Sequence, residues 1–135
     1  MKYFSIFENV TKTTLKDCFL INDTIVFCVD KGKAKLAVGK QGMNIKKLRN
    51  MLNKEIKVIE FSKNLVDLVR NSIFPLRPKS IEVVEENETK TVNIAFKSSK
   101  ERRILLDNNQ KKLNLLKEIL KRYDKDVTNV RVLQL

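Results

Sequence analysis

The sequence predicts an α+β protein made of two similar units, each a small sheet packed against helices. Apolar residues follow helical and strand spacing in alternation along the chain. The apolar pattern of the first half also returns in the second half at a nearly constant offset. A length of 135 residues is enough for one ordinary domain or two very small ones.

The elements of the first half follow from the spacing of its apolar residues. Residues rich in β-formers flank the turn Asn22-Asp23-Thr24, which predicts a hairpin. Beyond it the apolar period changes to that of helices and then returns to alternation. The predicted elements are a helix over 2–10, strands over 18–21 and 25–29, a short helix with Leu36 and Val38, a helix with Ile45, Leu48, Met51 and Leu52, and a strand with Ile56, Val58 and Phe61.

The second half begins after a helix predicted from Asn64 to Phe74, which Pro75 and Pro78 prevent from continuing. Downstream we predict strands over 81–84 and 91–96, helices over 101–106 and 111–122, and a closing strand over 130–133. We therefore expect a first domain over 1–62, a helix with a Pro-containing junction over 63–78, and a second domain over 79–135.

An internal duplication accounts for the similarity of the halves. An offset of 68 residues aligns Val26, Leu36, Val38, Ile45, Leu48 and Leu52 with Ile94, Ile104, Leu106, Leu113, Leu116 and Leu120. A further insertion of six residues around 123–128 aligns Ile56, Val58 and Ile59 with Val130, Val132 and Leu133. Any two helix-strand units share some of this spacing, but six matches in register favour a duplication.

The most specific local motif is the glycine pair of Gly39-Lys40-Gln41-Gly42, which separates the short helix from the next one. Glycines allow a tight turn without a Cβ clash, so the N–H groups around Lys40 and Gln41 and the N-terminus of the next helix can face a phosphate. Four residues match often by chance, so the motif alone is a weak signal. It predicts a clamp for a nucleic-acid backbone.

The charge of the chain is concentrated around this turn. The chain has 28 Lys and Arg against 16 Asp and Glu, a formal charge of +12. Between Lys31 and Lys57 the only acid is Glu55. The basic residues of that window are Lys31, Lys33, Lys35, Lys40, Lys46, Lys47, Arg49, Lys54 and Lys57. An ordinary solvated lysine face is the alternative, but a lysine-rich composition would not exclude acids from one window, so we expect a polyanionic partner.

The sequence offers no carrier for enzymatic chemistry, metal binding or a cofactor. It has no His and only two cysteines, so neither a four-ligand metal site nor a catalytic triad can be assembled from the usual residues. Pairing of the predicted hairpin could place Cys18 and Cys28 opposite each other, yet we expect thiols in a reducing compartment. Without a signal segment or a bilayer-spanning apolar run, we expect a cytoplasmic protein with no membrane partner. We also expect a monomer.

The order strand, short helix, glycine turn, basic helix, strand is that of the KH domain, an RNA-binding module whose GXXG loop holds the nucleotide backbone. More specifically, the chain resembles the archaeal NusA transcription factors, which consist of two KH domains and little else. The resemblance covers nearly the whole chain and includes Phe7-Glu8, Thr11, Asp17-Cys18, residues 38–45, residues 56–62 and Phe74-Pro75. It implies two tandem prokaryotic-type (type II) KH domains, single-stranded RNA and RNA polymerase as partners, and a role in transcription elongation, pausing or termination.

The expected RNA-binding residues all belong to the first unit. They are Lys33, Lys35, Gly39, Lys40, Gln41, Gly42, Asn44, Ile45, Lys46, Lys47, Arg49 and Val58. Lys40 would add a mobile charge beside the phosphates, while Ile45 and Val58 would line a shallow groove for the bases. The remaining cations would supply general attraction.

In the second unit the glycine turn is replaced by Asp107-Asn108-Asn109-Gln110. The negative charge of Asp107 opposes a phosphate, and side chains at both glycine positions obstruct close approach to the backbone. We therefore expect no clamp there. The second unit would mainly pack against the first, with weaker contact to RNA through Arg102, Arg103, Lys111 and Lys112 left open. Two other functions fit the same residues: a KH protein of ribosome assembly or translation, and a scaffold whose basic face docks an acidic protein.

Overall fold

The computed structural model describes residues 2–135, which fold as two compact units with a boundary between Ser62 and Lys63. The first unit contains α1 (Lys2–Thr11), β1 (Leu15–Ile21), β2 (Thr24–Val29), α2 (Ala34–Val38), a 3-10 turn (Lys40–Gly42), α3 (Met43–Leu52) and β3 (Glu55–Glu60). The second contains α4 (Leu65–Ile73), β4 (Ser80–Glu86), β5 (Thr89–Phe96), α5 (Ser99–Tyr123) and β6 (Val127–Gln134).

Each unit carries a three-stranded sheet of the same topology. In the first, β2 is central, antiparallel to β1 and parallel to β3. In the second, β5 is central, antiparallel to β4 and parallel to β6. The predicted α+β fold is confirmed, and the order helix, strand, strand, helix, helix, strand occurs twice, because α5 is interrupted by non-helical residues at Asp107–Gln110.

The first unit packs its helices on one face of its sheet. The rings of Phe7 in α1 and Phe27 in β2 stack with centroids 4.5 Å apart. Glu8 Oε2 accepts a hydrogen bond of 2.8 Å from the backbone N–H of Leu15, which fixes α1 to the start of β1. The buried core residues are Phe7, Leu15, Cys18, Ile25, Phe27, Val29, Ala37, Leu48 and Ile56.

The second unit includes the helix that precedes the prolines. Asn64 Oδ1 accepts from the N–H of Asp67 and caps α4, which packs on α5 and β4. The segment that the sequence assigned to a junction therefore contributes Leu68, Val69 and Ile73 to a core. The other buried members of that core are Ile81, Val92, Ile94, Phe96, Leu105, Leu113, Leu116, Leu120, Val127 and Val130.

The repeat is in register for the helices but not for the central strand. Phe27 pairs with Val58 and Ile94 pairs with Val132, and all four pack on their cores. The predicted match of Val26 with Ile94 is one residue out, and Val26 lies on the opposite face from Phe27 because side chains alternate along a strand. The cause is a connection one residue longer in the second unit: Val29 to Ala37 spans eight positions, Phe96 to Leu105 nine.

The pairing of β1 with β2 also corrects the expectation for the cysteines. Cys18 lies opposite Phe27, and Cys28 lies opposite Asp17, so the two sulfur atoms are not cross-strand partners. Both side chains are buried thiols.

Within residues 2–135, none of the helices combines the length and the apolar character needed to cross a bilayer.

Candidate nucleic-acid interface

The glycine turn lies at the surface of the first unit between α2 and α3. Lys40 and Gln41 are exposed, and the flanking Gly39 and Gly42 are half-buried. Gly39 has φ 81° and ψ 167°, a region open essentially only to glycine, and Gly42 is left-handed at φ 72°. Gln41 is also left-handed, at φ 55°. The sequence Gly-X-X-Gly is therefore what permits this backbone path.

Gly39 is required for space as well as for conformation. A Cβ built on it would lie 2.9 Å from both Cγ and Nδ2 of Asn44. The Asn44 amide in turn donates to the carbonyl oxygen of Leu36, at 3.4 Å. Asn44 therefore ties the first turn of α3 to α2 across the glycine. A Cβ on Gly42 would meet nothing within 4 Å, so that glycine is required for its φ alone.

The turn is closed by its own backbone hydrogen bonds. Gly39 N–H donates to the carbonyl of Lys35, Gly42 N–H to that of Gly39, and Met43 N–H to that of Lys40. These bonds do not use the N–H groups of Lys40 and Gln41, which lie at the tip of the turn. The first turn of α3 holds no acidic residue, so no carboxylate competes at this helix N-terminus.

The predicted cations surround the turn on neighbouring elements. Lys33 precedes α2, Lys35 lies in it, and α2 packs on both α3 and β3. Lys33, Lys35, Lys40, Lys46, Lys47 and Arg49 are all exposed. Arg49 Nε lies 3.9 Å from Glu55 Oε2, so the only acid of the basic window offsets one of its charges.

The two residues predicted to line the base groove are placed together against the first core. Ile45 in α3 and Val58 in β3 are half-buried and pack on it, while Leu48 is fully buried. Ile45 and Val58 can therefore support the fold and still present part of their surface.

The structure also exposes apolar residues on α2 and α3, the two helices that flank the turn, and two of them, Leu36 and Met51, were predicted as members of apolar stripes. Leu36 is 57% exposed and Met51 53% exposed, whereas Ala37 is the residue of α2 that is buried. Met43, directly after Gly42, is 61% exposed. In a helix as short as α2, apolar spacing cannot decide which side chain faces the core.

The corresponding turn of the second unit takes a different path. Asp107 has φ −71°, and Asn108, Asn109 and Gln110 are all left-handed, with φ 57°, 56° and 61°. All four residues are exposed. The glycine conformation of Gly39 is thus lost together with its residue type. Nowhere in the described part of the chain do three or more His, Cys, Asp or Glu residues gather as metal ligands.

Comparison with known proteins assigns this architecture. A sequence profile described as KH domain matches residues 3–94. The chain belongs to the KH-domain family. KH domains are RNA-binding modules, so the glycine turn lies in an RNA-binding fold.

This KH-domain protein is similar to archaeal proteins named as probable transcription termination protein NusA. It is 28% identical over 127 residues to the protein of Methanocaldococcus jannaschii, covering 94% of this chain and 68% of the relative. It is 27% identical over 123 residues to that of Thermoplasma acidophilum, covering 91% and 85%. The solved structure titled "Crystal structure of APE1850" matches with a TM-score of 0.82 at 30% identity, covering 97% of this chain and 95% of the other. The similarity to NusA-named proteins thus extends over nearly the whole chain.

Proposed function

We propose that the protein binds single-stranded RNA through the glycine turn of its first KH unit and acts as a NusA-like factor in transcription elongation or termination. The observation that carries the proposal is the exposed tip at Lys40 and Gln41, between two glycines whose conformations admit no other residue without strain. Names of the relatives support the transcription role, and RNA polymerase is the partner which that role implies.

The proposed mechanism uses backbone groups for grip and side chains for selection. The N–H groups of Lys40 and Gln41, with the N-terminus of α3, would hold phosphate oxygens. The Lys40 ammonium would follow the strand as a flexible point charge. Bases would turn toward Ile45 and Val58, because phosphate contacts fix position while base contacts carry specificity.

The exposed cations around the turn would act at longer range. Four exposed lysines can attract RNA and bind its phosphates, with release of the counterions that the phosphates held. They are Lys33, Lys35, Lys46 and Lys47. This term is not sequence-specific, and it predicts an affinity that falls steeply as salt rises.

The decisive experiment is the double substitution Lys40→Asp with Gln41→Asp, tested for binding to a short single-stranded RNA at several salt concentrations. Aspartate tolerates the left-handed conformation of Gln41, so the fold is expected to persist. We expect roughly tenfold or greater loss of affinity and a shallower salt dependence, since repulsion replaces attraction at the clamp.

The matched control is Asn114→Asp with Lys121→Asp, which makes the same change in charge at exposed positions of α5. It should weaken binding much less. Equal losses in the two variants would mean that only net charge matters, and unchanged affinity in the first would place the RNA site elsewhere. Wild-type protein that binds acidic proteins but no RNA would favour the scaffold alternative, and recovered ribosomal RNA partners would favour ribosome assembly.

A further inference from the structure

The most exposed large apolar side chain among residues 2–135 is Phe74, in the second unit. It is 72% exposed at the C-terminus of α4. An aromatic ring left in water at this extent forgoes the stabilisation that burial of so large a side chain provides. The first unit's RNA site does not include it.

The backbone on both sides of Phe74 is anchored by residues that pack on the second core. Ile73 is 5% exposed and belongs to the second core, and Leu76 packs against the same core. The N–H of Leu76 donates to the carbonyl of Ile73 at 2.9 Å, closing a turn with Phe74 and the exposed Pro75 at its tip. Phe74 is therefore an outward ring on an anchored backbone, which suits a platform that must not reorganise on binding.

Cations lie on every segment that reaches this turn. Arg70 is one helical turn before Phe74, and Arg77 follows it, with its backbone N–H bound to Glu101 Oε1 at 2.9 Å. The N–H of Lys79 donates to the carbonyl of Ala95, which brings in the end of β5. The exposed cations of these segments are Arg70, Arg77, Lys79, Lys97 and Lys100.

Two carboxylates of the described residues contact this group. Asp67 lies 3.2 Å from Arg70, and Glu101 accepts from the backbone of Arg77. Across the described segments, ion pairs leave the side chains of Arg77 and Lys79 uncommitted. The surroundings of Phe74 are thus net positive.

We propose that Phe74 is a stacking platform for a base of single-stranded RNA, with Arg70 and Arg77 contacting the flanking phosphates. An aromatic ring among cations is the combination that binds single strands, because every base has a π-face and every linkage carries a negative charge. An apolar protein partner fits less well, since it needs a broader apolar patch than one ring offers. The inference rests on the proposed function and gives the unit without a glycine clamp its own RNA contact.

The absence of tryptophan from the sequence permits a direct test. Phe74→Trp places a single indole at the proposed platform in the full chain, and stacking on a base is expected to quench its emission. The probe is a short oligoadenylate labelled with fluorescein, so that anisotropy reports binding independently of the indole. Val84→Trp is the matched control, because Val84 is 41% exposed on β4 beside the acidic Glu82 and Glu85.

The affinities of two further variants separate stacking from general apolar contact. Phe74→Leu keeps an apolar side chain but removes the π-face, and it should weaken oligoadenylate binding by about fivefold or more. Phe74→Tyr keeps the π-face and should bind as wild type does. Phe74 is exposed, and thermal unfolding checks that each variant is folded.

The outcomes distinguish this inference from the proposed function. Quenching at position 74 but not at position 84, with a loss in Phe74→Leu only, supports the platform. If anisotropy shows binding that depends on Lys40 and Gln41, while the indole is unquenched and Phe74→Leu binds normally, the platform is overturned and the glycine clamp stands. Failure of wild-type protein to bind any RNA would overturn both.

Discussion

The Lys90 ammonium donates to Asp124 Oδ2 at 2.7 Å and joins the start of β5 to the end of α5. Only 24% of the Lys90 side chain and 21% of that of Asp124 are exposed. The backbone strengthens the same junction, since Lys90 N–H donates to the carbonyl of Asp126 and Asp126 N–H to Asp124 Oδ1. This pair therefore holds the connection between α5 and β6 against the start of β5.

Asp124→Asn should lower the melting temperature of the protein near neutral pH and have little effect in acid. The hydrogen bond from Lys90 holds the pKa of Asp124 below its ordinary value of 3.8, and the same bond raises the pKa of Lys90 above 10.5. A lowered carboxyl pKa contributes stability above the unfolded value and loses it as pH falls through the folded value. A raised lysine pKa contributes stability below the unfolded value of 10.5, and that stability is lost as pH rises through the folded value.

Thermal unfolding of wild type and Asp124→Asn across pH measures this window. The difference in melting temperature should be largest between the ordinary pKa values of the two groups, 3.8 and 10.5, and should shrink outside that window. Glu118→Gln, which removes the charge of an exposed carboxylate on α5, is the control. A difference that stays constant below pH 3.8 would show that the pair's electrostatics are not what Asp124 contributes.

Gly39→Ala should destabilise the first unit more than Gly42→Ala does. Alanine at Gly42 pays only for a left-handed backbone, about 1–2 kcal/mol, because its Cβ would enter open space. Alanine at Gly39 has a backbone cost of order 1–3 kcal/mol and must also displace Asn44. Urea unfolding of the two variants compares these costs.

A third variant isolates the contact with Asn44. Adding Asn44→Ala to Gly39→Ala should recover part of the lost free energy of unfolding, since the atoms 2.9 Å from the new Cβ are removed. Strictly additive losses would mean that Asn44 moves aside at no cost.

Gln110→Gly should stabilise the second unit by about 0.5–1 kcal/mol. Asn108, Asn109 and Gln110 are successive left-handed residues, and asparagine tolerates that conformation better than glutamine does. Glycine relieves the strain at Gln110, although it also gains entropy in the unfolded chain. Glu118→Gly, in the regular part of α5, should instead destabilise by a similar amount. Equal destabilisation by both substitutions would refute strain at Gln110.

Much of this fold could be predicted because its long elements have complete apolar stripes. The stripe through Leu48, the hairpin around Asn22 and the helix that begins near Asn64 all follow from local spacing. The exposure of Leu36 and Phe74 could not be predicted, because it depends on which side chains the neighbouring elements cover. The alignment of the two halves was wrong by one residue at Val26, because one added residue in a connection exchanges the two faces of the strand before it.

The position of the candidate site could also be predicted from the sequence, but not all of its contacts. Glycine spacing and the missing acids placed the turn and its cations, and the structure puts Lys40 and Gln41 at an exposed tip. The role of Asn44 as the side chain that fills the space over Gly39 could not be predicted, because sequence spacing does not show the distance between two side chains. Which of these residues touch RNA stays a prediction.

Restoring glycines to the second turn should restore part of an RNA clamp. Asp107→Gly with Gln110→Gly removes a negative charge and two side chains from exposed positions that correspond to Gly39 and Gly42. Backbone N–H groups could then approach a phosphate, with Lys111 and Lys112 beside them. We expect a modest gain in affinity for single-stranded RNA, about two- to tenfold, since one charge-assisted contact is added.

The measurement is sharpest in the Lys40→Asp, Gln41→Asp background, where the first clamp no longer dominates binding. Asp107→Asn is the matched control, because it removes the charge of Asp107 and leaves a side chain at both glycine positions. A gain in the glycine variant beyond that of Asp107→Asn would show that space for the backbone limits binding, whereas equal gains would assign the effect to charge. No gain in either would mean that the turn at 107–110 does not meet RNA, and contact of the second unit would then have to come from another surface, such as that around Phe74.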